Sequence, residues 1–302
     1  MRVYYSFDDY FEIKNPVVTT GSFDGVHLGH KSIIQRLNHI AKQIDGESVL
    51  ITFHPHPRKV LFPDTVGKEL FLIYSQEEKI MALQKAGLQH LFIIEFTKEF
   101  AQTSSIDYAR KILHQKLRAK VVVVGFNHNF GHNREGNYQM LFELGQALGF
   151  WVEEIPALEI EHESVSSTRI RKAIINGEIQ KANAYLDDNY LLIGKIIKVN
   201  DFYHIAVEED CKLLPPCGTY AVKISVNQQQ IKAIAFIEKY ESNDYREVKL
   251  LTSKELTLTN DKAIVLFYNG TSCLKTQQFS LKALILLFFS TIFMFYFLSS
   301  LF

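Results

Sequence analysis

One segment near the start of the chain constrains its fold and chemistry most. Residues 17–30 have the sequence VVTTGSFDGVHLGH, which predicts an apolar strand that runs through a glycine-rich turn into a helix that carries two histidines. Gly21 and Gly25 let the backbone approach an anion closely, and the start of a following helix offers unpaired N–H groups and a positive dipole end. His27 and His30 are three residues apart, so both can face that point. The segment predicts a strand, a turn and a helix that hold nucleotide phosphates.

The alternative for each histidine is a surface or helix-capping role, which is the commoner fate of a single histidine near a turn. Here the pair precedes apolar residues at helical spacing, and this context favours the functional interpretation. The apolar positions are Ile33, Ile34, Leu37, Ile40, Ala41 and Ile44. The segment has neither the G-x-x-x-x-G-K-[ST] spacing of a P-loop nor the G-x-G-x-x-G spacing of a dinucleotide-binding fold.

Composition limits the class of protein and its partners. The 302 residues, 47% of them hydrophobic, suit two modest globular domains, and 33 basic residues balance 33 acidic ones. No basic patch indicates a nucleic-acid partner, since the cluster at residues 169–172 is better explained by the phosphates of a small nucleotide. The three cysteines lack metal-ligand spacing, and residues 1–9 lack the apolar core of a secretory signal. We therefore expect a cytoplasmic protein.

The C-terminal tail, residues 271–302, differs from the rest. Residues 283–302 carry no charge and are long enough for one helical membrane span. Lys275 and Lys282 precede this stretch and would keep the earlier domains on the cytoplasmic face. The tail predicts a membrane tether, with a buried terminal helix or an accidental extension of the reading frame as alternatives.

The order of apolar runs predicts two architectures. Up to Leu186, strands near residues 17–20, 48–53, 91–96, 121–124 and 150–155 alternate with helical patterns. This alternation predicts a parallel sheet with helices on both faces. Ser75 and Glu78 form a capping box, and Gly149 and Gly177 mark the ends of two later helices. From Leu191 onward, five shorter runs with turn residues between them predict a small antiparallel β-barrel within residues 187–270.

Three further loops carry unusual chemistry. In residues 52–57, TFHPHP, Pro55 and Pro57 stiffen a loop that suits the wall of a flat aromatic ligand, although a simple strand-ending turn is an equal alternative. Residues 125–131 offer the amide of Asn127 and the ring of Phe130. Residues 166–171, SSTRIR, open a helix whose hydroxyls, N–H groups and Arg169 form a second anion site, beyond an ordinary serine cap. Because ligands bind at the carboxyl ends of parallel strands, we expect these loops to meet in one crevice.

Together these motifs resemble, over residues 1–186, the FAD synthetase module of the bacterial bifunctional riboflavin kinase/FAD synthetase family. The HxGH element occurs in other nucleotidyltransferases, but the HPHP and N-x-x-F-G elements narrow the resemblance. The resemblance implies a Rossmann-like nucleotidyltransferase domain that transfers AMP from Mg-ATP to FMN without a covalent intermediate.

The resemblance also assigns roles to residues of this chain. It makes His27 and His30 catalytic, in contact with the ATP phosphates. The ATP-binding residues that it implies are Gly21, Phe23, Asp24, Gly29, Ser167, Thr168 and Arg169, the last three at the departing pyrophosphate. The FMN-binding residues are Pro55, Pro57, Asn127 and Phe130. The expected small molecules are ATP and FMN, with Mg²⁺ held mainly by the ATP phosphates.

In the second half the resemblance weakens. Residues 190–199 and 213–222 look like strands of a riboflavin kinase barrel. The family's G-R-x-x-G-F-P-T-A-N loop, however, has no counterpart, because residues 200–210 are NDFYHIAVEED. Glu247 is a weak candidate for the kinase glutamate. We therefore predict a degenerate barrel; a full bifunctional enzyme with a divergent kinase site, and a flavin- or nucleotide-binding regulatory protein without catalysis, are the alternatives.

Overall fold

A computed structural model of the chain describes residues 1–9, 12–126, 128–156, 159–160, 163–207, 211–227, 229–239, 246–252, 255–258 and 262–272. Asn127 and the stretch 283–302 lie outside the described residues, so the membrane tether stays a prediction. Within the described ranges, no helix combines the length and apolar character that a membrane crossing needs.

The first half contains a six-stranded parallel sheet with the strand order β1-β4-β3-β2-β5-β6. Its strands are β1 (Arg2–Tyr4), β2 (Val17–Thr20), β3 (Ser48–His54), β4 (His90–Glu95), β5 (Val121–Gly125) and β6 (Trp151–Ile155). The predicted α/β class is confirmed. The sequence analysis missed β1, because three residues are too few to show a period, and this strand exists by pairing with β4 at the sheet edge.

Helices cover both faces of the sheet. They are α1 (Leu28–Gln43), α2 (Pro57–Leu61), α3 (Gln76–Lys85), α4 (Ser105–Asp107) continued by a π-helix (Tyr108–Lys116), α5 (Tyr138–Leu148), α6 (Ser167–Ile175) and α7 (Ile179–Leu186). Leu50 packs in the core that contains Ile34 of α1, whereas its neighbour Ile51 packs in the core that contains Leu141 of α5. The strands are therefore buried on both sides, as their continuous apolar runs require.

Local signals in the sequence set several helix ends. The capping box of Ser75 and Glu78 opens α3, and Gly149 and Gly177 have positive φ angles just beyond α5 and α6, so these predictions are confirmed. One detail differs from expectation, since α1 begins at Leu28 and His27 is its N-cap rather than part of the helix.

The second half is a closed antiparallel barrel with the order β10-β13-β12-β11-β14-β9. Its strands are β9 (Tyr190–Val199), β10 (Phe202–Ala206), β11 (Gly218–Val226), β12 (Gln229–Lys239), β13 (Arg246–Thr252) and β14 (Lys262–Ser272). A short two-stranded ribbon, β7 (Glu159–Ile160) with β8 (Glu163–Ser164), precedes α6. The predicted barrel is confirmed, with β10 as an additional strand. The division into functional domains at residues 186 and 187 stays a prediction.

The strand order positions the loops of interest. β2 lies between β3 and β5, and the chain passes from β2 to β3 on one side but reaches β5 on the other. Such a reversal opens a crevice beyond the carboxyl ends of the strands. The three loops after β2, β3 and β5 are therefore neighbours, as the sequence indicated.

Candidate active site

The turn after β2 is shaped by its glycines and by the cap of α1. Gly25 has φ +88°, and a Cβ atom there would lie 2.8 Å from the Ile73 side chain, so a larger residue would be both strained and crowded. His27 Nδ1 accepts the backbone N–H of His30 at 3.4 Å and so caps α1. The first turn of α1 therefore presents its remaining N–H groups beside the two histidines.

Three rings form a stack at the start of α1. The centroids of His27 and His30 are 3.7 Å apart, and Phe23 stacks on His30 at 4.3 Å. The Nδ1 atom of His30 is buried and has no hydrogen-bond partner among the described residues. A buried polar atom without a partner is costly, and a ligand that hydrogen-bonds it would remove that cost.

The surroundings keep both histidines neutral at pH 7. Burial lowers the pKa of His27 to about 4, with Asp24 opposing this effect and Arg171 adding to it. Burial, followed by the proximity of His27 and Lys79, lowers the pKa of His30 well below its usual value. A neutral imidazole still donates one N–H, and a bound anion would raise both pKa values.

Asp24 fixes the turn from beneath. Its carboxylate is buried and accepts the N–H groups of Ile73 at 3.1 Å and Tyr74 at 3.2 Å. It also forms a 2.6 Å ion pair with Arg171. Three donors use most of the hydrogen-bonding capacity of this carboxylate, and through them Asp24 ties the turn to residues 73 and 74 and to α6.

The start of α6 lies against the same turn. Ser166 caps α6 by accepting the N–H of Arg169 at 3.4 Å, and the hydroxyl of Ser167 donates to the backbone oxygen of Asp24 at 2.9 Å. The structure thus brings together the 17–30 and 166–171 segments, which the sequence separates by more than a hundred residues. The N-termini of α1 and α6 both point positive dipole ends to this region.

The HPHP loop continues from β3. His56 is buried and caps α2 by accepting the N–H of Arg58 at 3.2 Å, whereas Pro55 is exposed and Pro57 is the first residue of α2. Burial lowers the pKa of His56 to about 4, and Asp24, Lys79 and Arg171 are close enough to influence it. This loop therefore borders the turn and the α6 terminus.

The loop after β5 is tied to the end of β2. Phe130 is 7% exposed and stacks with His128 at 5.8 Å and, tilted, with Tyr108 at 6.0 Å. The hydroxyl of Tyr108 is 2.8 Å from that of Thr20, the last residue of β2. The predicted aromatic face thus lies beside the crevice, although most of the Phe130 ring is covered.

The sequence analysis missed Lys79. Its buried Nζ donates to the backbone oxygen of Ser22, in the turn, at 3.0 Å. Lys79 precedes the buried Leu83 by four residues, so the helical period placed this lysine on the inward face of α3. The sequence signal for Lys79 was a charged residue at a helical position that the period assigns to the apolar face.

Comparison with known proteins now identifies the family. A family model described as FAD synthetase matches residues 11–169. A bifunctional riboflavin kinase/FMN adenylyltransferase of Listeria monocytogenes is 32% identical, over 76% of this chain and 74% of the relative. The chain belongs to the FAD synthetase family.

Other similar proteins carry names from the same family. A protein named FAD synthetase from Listeria monocytogenes is 30% identical over 68% of this chain and 79% of its own length. A bifunctional riboflavin kinase/FMN adenylyltransferase of Buchnera aphidicola from Schizaphis graminum is 34% identical, over 70% and 69%. A crystal structure titled macrolide-efflux protein, from Streptococcus pneumoniae, aligns with TM-score 0.83 over 95% of both chains at 22% identity and shares the fold.

Proposed function

We propose that this protein is an FMN adenylyltransferase, which transfers AMP from ATP to FMN and releases pyrophosphate. The observation that carries the proposal is the stack of neutral His27 and His30 at the start of α1, with a buried, unpartnered Nδ1 atom. Family membership supports the same activity.

In the proposed reaction an FMN phosphate oxygen attacks the α-phosphorus of ATP, and the bond to the β-phosphate oxygen breaks. No group of the protein is covalently modified. His27, His30 and the N–H groups of the turn, with Gly21 and Gly29, would donate to phosphate oxygens as negative charge shifts toward the pyrophosphate. Phe23 would hold the His30 ring by stacking, and Asp24 would hold the turn rather than touch ATP.

The remaining sites follow from position. Ser167, Thr168 and Arg169 would receive the pyrophosphate, because the α6 terminus adjoins the turn. Pro55, Pro57, Asn127 and Phe130 would line the FMN site at the ends of β3 and β5. The carboxylate of the turn is already bound to Arg171, so we assign Mg²⁺ to the ATP phosphates, as part of the substrate. A cytoplasmic location remains part of the proposal.

For the barrel we propose the absence of riboflavin kinase activity. The barrel strands are present, but residues 200–210 lack the glycine, proline and threonine pattern expected of the kinase loop. The relatives named as bifunctional make a divergent kinase site the second candidate.

One assay tests both points. The purified chain is incubated with Mg-ATP and either FMN or riboflavin, and the flavins are separated by chromatography. FAD from FMN alone is the expected result. Formation of FMN or FAD from riboflavin would establish the bifunctional enzyme, and the absence of FAD from FMN would leave a binding protein.

A further inference from the structure

A buried ion pair joins the barrel to the α/β half. Lys212, in the connection from β10 to β11, and Glu78, in α3, both have side chains with 0% exposure, and their Nζ and Oε2 atoms are 2.6 Å apart. Lysine and glutamate are rarely buried this completely unless they are paired. Lys212 Nζ also donates to the backbone oxygens of Ile73 at 2.6 Å and Leu191 at 2.9 Å, so all three of its hydrogens are used.

Both carboxylate oxygens of Glu78 accept further hydrogen bonds. Its Oε2 accepts the N–H of Ser75 at 2.8 Å in the capping box, and its Oε1 accepts the N–H of Ile193, in β9, at 2.8 Å. The Tyr190 ring lies 4.4 Å from the Lys212 ammonium. The pair therefore bonds to α3, to the segment before it and to the first barrel strand at once.

Ile73 connects this pair to the turn. Its carbonyl accepts Lys212, and its N–H donates to Asp24 Oδ2 at 3.1 Å. The neighbouring residue Leu72 donates to the backbone oxygen of Cys211 at 2.7 Å and accepts from Leu213 at 2.8 Å. Residues 72 and 73 are thus held from the barrel side by three hydrogen bonds, and the Ile73 N–H passes this support on to Asp24 in the turn.

From this connection we propose that Lys212 is a positioning residue for adenylyl transfer, and that the barrel serves to hold the turn of the active site. The inference rests on the proposed function and extends it. Lys212 touches no substrate; it acts through Ile73 and Asp24 on the backbone that leads to His27. A barrel without the kinase loop would thereby keep a role in the reaction.

The test compares the wild type with a double variant that carries both Lys212→Met and Glu78→Gln. Removing both charges avoids leaving one of them buried alone, which would destabilise the fold. The control is Lys85→Met with Asp188→Asn, which breaks an exposed pair between the same helix and the residues before the barrel. We expect kcat for FAD formation to fall about tenfold, since small displacements of reacting groups have effects of this size or larger. The control stays within about twofold, at temperatures well below both unfolding midpoints.

Hydrogen exchange provides a readout that does not depend on activity. In the double variant the amides of Ile73 and Tyr74 should exchange about tenfold faster, whereas Leu141 in α5 changes little. In the wild type, hydrogen exchange at the amides of Ile73, Tyr74 and Ile193 should occur through one shared opening event. This measurement needs no variant. Equal acceleration at Leu141, unchanged kcat, or independent opening in the wild type would each overturn the inference. Loss of FAD formation in the wild type would overturn the proposed function instead.

Discussion

The two halves of the molecule differ in where they bury polar and charged side chains. In the α/β half, buried polar side chains gather around the turn, including Asp24, His27, His56 and Lys79. Beyond Ser105, Lys212 is the one buried charged or non-aromatic polar side chain among the described residues, and it faces the α/β half. The barrel interior is otherwise apolar and aromatic. Under the proposed function the chemistry lies in the loops of the α/β half, whereas the barrel has its strands but not, in residues 200–210, the loop expected of a kinase.

The largest effect should come from breaking the buried pair beneath the turn. Arg171→Met leaves the Asp24 carboxylate, 1% exposed, without its cation. We expect the free energy of unfolding to fall by about 3–5 kcal/mol, measured by urea denaturation. Adding Asp24→Asn should recover part of that loss. A change below about 1 kcal/mol for Arg171→Met would mean that the turn does not depend on this pair.

The next prediction contrasts one histidine from each half. His30→Ala should lower the rate of FAD formation by about 10²- to 10³-fold, because a donor to the developing charge is lost. His204→Ala, in β10, should leave the rate within about twofold, since surface changes away from a site have small effects. Both rates come from chromatography of the flavins, with the melting temperature as the test of folding. Near-normal turnover of the His30 variant would refute the assignment.

The buried histidines should make stability depend on pH. The folded-state pKa of His56 is about 4 against an ordinary 6.5, so between these values the unfolded chain binds more protons. Stability should therefore fall as the pH drops from 6.5 toward 4, by up to about 3 kcal/mol for this group. His56→Asn keeps a cap for α2 and should flatten the profile of unfolding free energy against pH. An unchanged slope would contradict the buried, neutral state.

The smallest effect is expected in the barrel. Incubation with riboflavin and Mg-ATP should give no FMN above the level of a control without enzyme. Substituting Glu247→Gln should change nothing in that assay. Measurable phosphorylation that this variant abolishes would remove the contrast between the two halves.

Local signals were enough for much of the fold. The capping box of Ser75 and Glu78, the glycines at helix ends and the short barrel runs separated by turn residues each depend on neighbouring residues, and the structure follows them. The proximity of the loops at the ends of β2, β3 and β5 could be predicted from the sequence, because parallel strands direct their carboxyl ends to one edge.

What the sequence could not reveal depends on distant partners. Glu78 looks like a capping residue alone, and only the fold shows Lys212 bound to it. The motif implies that Asp24 binds ATP, but only the fold shows that this carboxylate accepts donors from residues 73, 74 and 171. The short strands β1 and β10 likewise form because a partner strand is available, which no local period can indicate.

The ion pair beneath the turn also bears on how the active site arises. Asp24 and Arg171 are 147 residues apart in the chain. A contact of such separation requires the closure of a long loop, which costs conformational entropy, so we expect this pair to form late in folding. During synthesis the strand and both histidines emerge early, but the turn lacks its cation until α6 has been made. We therefore expect the turn to gain its cation only after all six strands of the supporting sheet have been synthesised.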